Sequence, residues 1–155
     1  MVREMQKRDV RAAAELVRRS WARSYVDIVP PHEHPTVDEQ AADLAPRHGQ
    51  RGWVFDLDGV VVAVALVVGP DSEDPELSLL HVAPAAQGAG VGSELHDAVL
   101  ADLRAMGRTC LHLWVYEENG HARDFYAARG WARDDGGNKP DRYGAAQAIR
   151  MTRAL

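Results

Sequence analysis

Cysteine is nearly absent from this chain. Cys110 stands alone, so no internal disulfide can form and the fold must hold by burial and hydrogen bonding. No apolar run approaches the roughly 20 residues that a bilayer span requires; the longest is Val60 to Val68. Nor is there a dense block of Lys and Arg, and a formal net charge of -5 argues against general nucleic-acid binding. The opening Met1-Val-Arg-Glu-Met5 lacks the apolar core of a signal peptide. These absences point to a cytoplasmic location without nucleic-acid or membrane partners. What is present is 46% hydrophobic and 26% charged residues in a chain of 155. That suffices for one continuous core, so residues 1–155 are expected to form a single domain.

Hydrophobic spacing orders the elements. A short strand is predicted at Val2 to Met5. A helix follows from about Val10 to Tyr25, with Val10, Ala13, Ala14, Val17 and Trp21 at helical spacing and Asp9 as its N-cap. Pro30, Pro31 and Pro35 force a loop. Thr36 and Glu39 stand in capping-box spacing and open a short helix that stops before Pro46. The period then changes. Trp53 to Leu57 reads as a strand, Asp58-Gly59 as a tight hairpin turn, and Val60 to Val68 as a fully buried partner strand. Leu77 to Val82 forms the next strand. A helix is predicted from about Gly90 to Met106, stopped by Gly107, then a strand from Cys110 to Tyr116. Cys110, at the start of that strand, is expected to be buried as a small apolar residue. A helix from about Asn119 to Arg129 and two terminal strands, Trp131 to Arg133 and Ala148 to Arg153, around a glycine-rich loop complete a mixed α/β chain.

One stretch carries chemistry: a strand, then Pro84-Ala-Ala-Gln87-Gly88-Ala89-Gly90-Val91-Gly92-Ser93, then a helix. The first turn of a helix offers free N–H groups and the positive end of its dipole, which suit an anion such as pyrophosphate. Glycines let those amides approach phosphate oxygens, and the Ser93 hydroxyl can add a donor. The loop has no Gly-Lys-Ser/Thr ending, which excludes a Walker A motif. Gly92 comes two residues after Gly90, not three, which departs from the Rossmann fingerprint.

Leu80-His-Val82-Ala-Pro84-Ala-Ala-Gln87-Gly88-Ala-Gly90-Val-Gly92 resembles the CoA-binding motif of the GCN5-related N-acetyltransferase (GNAT) superfamily, Gln/Arg-x-x-Gly-x-Gly/Ala. A second stretch is similar to that family's later motif: Leu113-Trp-Val-Tyr116-Glu-Glu-Asn119 leads into Ala122, Phe125-Tyr126 and Gly130-Trp131, with Trp131 in place of the usual Phe. The resemblance implies a central, mostly antiparallel mixed sheet of about six or seven strands flanked by about four helices. It implies acetyl-CoA as co-substrate, with no metal, and direct attack by an amine in a ternary complex. The cofactor-binding residues would be Leu80, His81 and Val82 on a bulged strand, Gln87, Gly88, Ala89, Gly90, Val91, Gly92 and Ser93 in the loop, then Asn119 and Tyr126.

The chemistry requires a neutral amine, a polarised thioester carbonyl and a proton for the leaving thiolate. Tyr126 occupies the position of the family's general acid, and the backbone N–H of Val82 is the candidate for carbonyl polarisation. Glu76 is the candidate general base, with His81, Glu117 and Glu118 as further candidates. Trp21 and Tyr25, beside the proline-rich loop, are candidates for acceptor binding, whose aromatic rings suit an apolar or cationic amine. His32-Glu33-His34 lacks a third ligand at a plausible spacing, so no metal site is expected. The acceptor is expected to be a small-molecule amine, and the chain a monomer or homodimer. A protein N-terminus or lysine as acceptor, and a CoA-binding regulatory module without turnover, are the alternatives.

Overall fold

A computed structural model describes the backbone of residues 1–140 and 146–155. Among the described residues, seven strands form one sheet in the order β1-β2-β3-β4-β5-β7-β6. They are β1 Val2–Glu4, β2 Gln50–Leu57, β3 Val60–Val68, β4 Glu76–Val82, β5 Cys110–Tyr116, β6 Ala132–Pro140 and β7 Gln147–Ala154. Four helices accompany it: α1 Val10–Ser24, α2 Val37–Leu44, α3 Val91–Ala105 and α4 Gly120–Ala127. All pairings are antiparallel except β4 with β5, so the α/β fold expected from the resemblance is present.

The continuous apolar runs of β2 and β3 exist because the sheet is covered on both faces. Successive residues alternate between two cores. Trp53, Phe55, Ala63, Ala65 and Val67 pack with Leu95, Val99 and Leu103 of α3. Val54, Val64 and Leu66 pack on the other face with Leu16, Val17 and Trp21 of α1 and Leu44 of α2. Burial of β3 is confined to its middle, however. Val60 and Val68 are exposed at its ends, where the hairpin tip and the exit loop leave the helices behind. The hairpin turn itself is as predicted, with both Asp58 (φ 50°) and Gly59 (φ 86°) in the left-handed region and the Asp56 carboxylate accepting from the Gly59 N–H at 2.7 Å.

Local signals explain most boundaries. Thr36 and Glu39 form the capping box of α2 at 3.2 and 2.7 Å. Asp9 stands at the N-cap position of α1, but its side chain makes no capping bond to that helix. A 3₁₀ turn, Lys7–Asp9, precedes the helix, and the Asp9 carboxylate is taken by the Gln6 N–H at 2.8 Å and by a two-pronged bond from Arg3 at 2.7 and 2.9 Å. Arg3 also reaches Asp56 at 2.8 Å, tying the chain start to β2. These bonds hold the Asp9 carboxyl below the usual carboxylate range. Cys110 is only partly buried, because it opens β5 at the sheet's rim with its thiol toward the Glu73 carbonyl at 3.3 Å. The strand predicted to end at Arg133 runs on to Pro140. A register shift lies between Arg133 and Asn138, so the glycines expected in a loop interrupt the pairing of a strand instead. The remainder of that expected loop, 141–145, lies outside the described residues.

Trp131 brings an indole N–H into the core, and burial demands a partner for it. His96 on α3 supplies one, its Nε2 accepting from Trp131 Nε1 at 2.9 Å. That bond fixes the tautomer: the proton sits on Nδ1, which faces Asp97 at 3.0 Å. Trp131→Phe should therefore leave the buried His96 Nε2 without a donor and cost about 1–3 kcal/mol. Urea unfolding should show a lower midpoint at unchanged slope; an unchanged midpoint would mean that the pair contributes nothing.

Candidate functional site

The site begins where the sheet comes apart. β4 and β5 share a single register pair, Glu76 with His112, supported by the His112 N–H on the Pro75 carbonyl at 3.0 Å. Beyond it β5 follows β7 over seven paired residues, and β4 follows β3. The narrow end is locked by polar contacts. His112 bonds Asp74 at 2.8 Å and approaches Glu76 at 3.6 Å, while Arg150 joins Asp74 at 2.6 Å and also pairs with Asp134.

The β4 bulge falls at Ser78, not within Leu80 to Val82: Val67 pairs with Leu77 and Leu66 with Leu79, leaving Ser78 extra. The extra residue changes which backbone groups face the gap. Ala83 N–H bonds the Val62 carbonyl on the β3 side at 2.8 Å, so by alternation Val82 and Leu80 turn their backbone groups toward the parting. The Val82 carbonyl accepts from the Gln87 side chain at 3.2 Å across that end. Gln87 is thus engaged in closing the loop.

Two cavities meet in the gap. The loop cavity, about 640 Å³, is lined by Gln87, Gly88, Gly90, Gly92, Ser93 and Asn119 among others. The seam cavity, about 440 Å³, runs between β4 and β5 and includes Trp21, Glu76, Trp114 and Tyr116. Tyr25, Leu80, His81, Ala122 and Tyr126 line both. Of the loop residues predicted to bind a cofactor, Ala89 is exposed outside the cavity and Val91 is buried in the core beneath α3.

The loop is built to present amides. Gly88 and Gly90 both have φ of 80°, a conformation that favours glycine, and Gly90 is the N-cap of α3. The first bond of the α3 ladder runs from Glu94 N–H to Gly90 O at 3.0 Å, so the amides of Val91, Gly92 and Ser93 precede it. A Cβ on Gly92 would lie 3.2 Å from Val82 Cγ2, which shows how closely this turn packs on β4. Arg129, at the far end of α4, was not singled out by the sequence. Its guanidinium stacks on the Phe125 ring at 3.6 Å, donates to the Phe125 carbonyl at 2.8 Å, bonds the Ser93 hydroxyl and lines the loop cavity. Its only sequence signal was a basic residue just before the Gly130 stop, which helix capping already explains.

Asn119 caps α4, its Oδ1 accepting from Ala122 N–H at 3.1 Å, while the residue also lines the loop cavity. Tyr126 is buried between Phe125 and Trp131, with ring centroids 5.2 and 5.6 Å away, and desolvation pushes its phenol well above the ordinary tyrosine range. His81 is buried and bonded to Ser20 Oγ at 2.8 Å; burial pulls its pKa down to about 4. Trp21, Tyr25 and Tyr116 form an edge-to-face cluster at 4.7, 5.2 and 6.4 Å. Glu117 approaches Arg133 at 3.7 Å and Glu118 is exposed. His34 is bonded to the Val29 carbonyl at 2.8 Å, and no group of three metal-ligating side chains occurs among the described residues. Among them, too, no helix is long and apolar enough to cross a membrane.

The chain matches the Acetyltransferase (GNAT) family over residues 14–131, and it belongs to that family. Over 97 residues it is 40% identical to a mycothiol acetyltransferase of Beutenbergia cavernae, covering 57% of this chain and 33% of that protein. Over 94 residues it is 33% identical to an uncharacterized N-acetyltransferase of Mycobacterium tuberculosis, covering 61% of this chain and 54% of that one. The chain thus spans a third to about half the length of these relatives. Among solved structures, the ribosomal-protein-S18-alanine N-acetyltransferase of Escherichia coli superposes with a TM-score of 0.80 at 19% identity, covering 100% of this chain and 93% of that one. The PaiA N-acetyltransferase of Thermoplasma acidophilum, in complex with coenzyme A, gives 0.77 at 16%, covering 100% and 98%. At such identities the likeness shows the fold.

The buried, neutral His81 makes stability depend on pH. Its folded pKa lies below the unfolded value near 6.5, so the unfolded chain binds the proton first on acidification. The stabilisation is full above pH 6.5 and lost as pH falls toward about 4, by up to roughly 3 kcal/mol. His96, lowered by its own burial, acts in the same direction. Unfolding free energies across this window should decline for the wild type and decline less for His81→Gln; parallel curves would remove His81 as a cause.

Proposed function

We propose that the chain is an N-acetyltransferase that moves the acetyl group of acetyl-CoA to a small primary amine, by direct attack with both substrates bound. The observation that carries this reading is the meeting of two cavities at Leu80, His81 and Tyr126, one walled by an amide-rich loop and the other by aromatic rings. The loop amides, the α3 dipole and Arg129 suit pyrophosphate, and Leu80 and Val82 offer backbone groups to an extended arm. Arg129 supplies the charge that neutral Gln87 does not. Asn119 has a side-chain amide N–H₂ beyond its capping bond.

At the junction, Val82 N–H polarises the thioester carbonyl and Tyr126 protonates the departing thiolate. Desolvation keeps the phenol protonated, so its O–H is present to hydrogen-bond the sulfur as the C–S bond breaks. Glu76 serves as base through water in the seam cavity, since it lies four residues, about 13 Å, along β4 from Leu80. His81, kept neutral by burial and tied to Ser20 Oγ on the α1 side at 2.8 Å, serves as a wall of the junction. Cys110 lines neither cavity, in keeping with transfer that passes through no acyl-enzyme. The aromatic-walled seam cavity, about 440 Å³, favours a small amine over a protein lysine, and a pure binding module would have no use for the second cavity.

Two outcomes test this reading. Acetyl-CoA should raise the melting temperature by mass action while NAD does not, and Arg129→Gln should weaken CoA binding measured by calorimetry. Equal stabilisation by NAD would overturn the assignment. In single-turnover kinetics, Tyr126→Phe should lower the rate by about 10² to 10⁴ with little change in acetyl-CoA affinity. A loss smaller than about threefold would assign sulfur protonation to water.

A further inference from the structure

We propose that the acceptor is an elongated amine whose far end carries a neutral amide-like group, and that Gln40 reads that group. This rests on the acetyl-transfer reading and adds the chemical class of the acceptor.

The seam cavity is long. Its α1 wall runs from Val17 through Trp21 to Tyr25, eight residues or about 12 Å of helix. Its β4 wall runs from Glu76 to His81, about 16 Å. One end is the junction at Tyr126. The other is marked by the row Gln50–Val68–Glu76, which pairs across β2, β3 and β4. Gln50 Nε2 bonds the Asp43 and Ala45 carbonyls at 3.1 and 2.7 Å, which brings the end of α2 onto this row. Gln40 lies one turn before Asp43 and lines the seam cavity but not the loop cavity. An amine at the junction and a group at Gln40 are therefore separated by something on the order of 10 Å.

Gln40 differs from its neighbours in that wall. It is only 4% exposed, yet no hydrogen bond to its carboxamide occurs among the described residues. Glu76 faces His112, the Gln50 amide is spent on α2 carbonyls, Arg47 bonds the Ala42 carbonyl at 3.4 Å, and Asp43 has a partner of its own. Its amide atoms are not among the sealed polar atoms that lack a partner, so they open to the cavity, where a group that enters can complete them. A carboxamide both donates and accepts, so it is matched by another amide through two bonds, with no charge to neutralise. The aromatic cluster of Trp21, Tyr25 and Tyr116 flanks the slender apolar stretch between the ends.

Straight-chain primary amines from butyl to decyl, ending in methyl, carboxamide or ammonium, provide the probes. Their binding is measured by calorimetry with CoA present, and their acetylation by thiol release. At the matching length the carboxamide tail should be favoured over methyl by about tenfold or more, as one good buried hydrogen bond allows. Gln40→Leu should collapse that ratio toward one. It should leave the melting temperature within about 2 °C of the wild type, because the amide opens to the cavity and has no partner in the fold to lose. A tail preference that survives in Gln40→Leu overturns the proposal, as does a melting temperature lowered by more than that, which would reveal a structural partner. A preference for the ammonium tail that ignores Gln40 overturns it too and assigns the far end to Asp43 and Glu76. If wild type binds carboxamide tails through Gln40 but acetylates no amine, the Gln40 contact stands while the transfer reading, and with it the ligand's role as acceptor, falls. If carboxamide tails do not bind, the inference falls whatever is acetylated.

Discussion

The parting of β4 from β5 is the constraint on which the rest of this molecule depends. Two adjacent parallel strands in a seven-stranded sheet would ordinarily pair along their length, because each unpaired backbone group that is also buried costs free energy. Here only Glu76 and His112 pair, and the sheet becomes two half-sheets, β1 to β4 and β5 with β7 and β6. Each half is completed internally by antiparallel partners, so the loss is confined to one line of backbone groups. The contacts of Asp74, Glu76 and Arg150 around His112 hold the closed end, and the strands are free to diverge toward the glycine loop.

The bulge at Ser78 then decides what the open line offers. Without the extra residue, Leu79 and His81 would turn their backbones to the gap; with it, Leu80 and Val82 do so. The same phase sends His81 inward against Ser20 on the α1 side. Charge is arranged with equal economy. The Gln87 amide gives one N–H to the Val82 carbonyl, while Arg129 is the cation that the cavity wall presents beside the free amides at the start of α3. Stacking on Phe125 and the bond to Ser93 fix that guanidinium against the first turn of α3, tying α3 and α4 into one wall of the loop cavity.

Wherever a single local rule decides, the amino-acid sequence is legible. Asp58-Gly59 needs two positive φ angles, Thr36 and Glu39 satisfy each other, and Gly107 ends α3 with φ of 78°. The loop and its helix were readable because glycine spacing and apolar periodicity agree there. The bulge was not readable where it lies: Leu77-Ser-Leu-Leu80 has no clean alternation from which a one-residue change of phase could show. Asp9 looked like a cap because the competing Arg3 approaches from another element, six residues away. The pairings of Arg129 with Ser93 and of His96 with Trp131 span about 35 positions, and only the packing of α3 against α4 brings them together. Gln40 gave no signal at all, since a polar residue on a short surface helix is ordinarily solvated.

Away from the seam, buried polar groups are matched. Trp53 Nε1 donates to Asp102 at 2.6 Å, Trp131 to His96, and Arg3 bridges Asp9 and Asp56. The buried Nε atoms of Arg51 and Arg153 have no partner, but both guanidinium groups bond through their other nitrogens. Along the seam the pattern reverses. Strands stand apart, a histidine is kept neutral by burial, a tyrosine is desolvated and a glutamine opens its amide to the cavity with no hydrogen bond to it among the described residues. The parting, the buried histidine and the desolvated tyrosine are each unfavourable for folding alone, and all four features lie on a wall of one or both cavities. Such costs persist when the groups involved are completed by a ligand and not by the fold, because a site already satisfied by its own protein would have nothing left to offer a substrate.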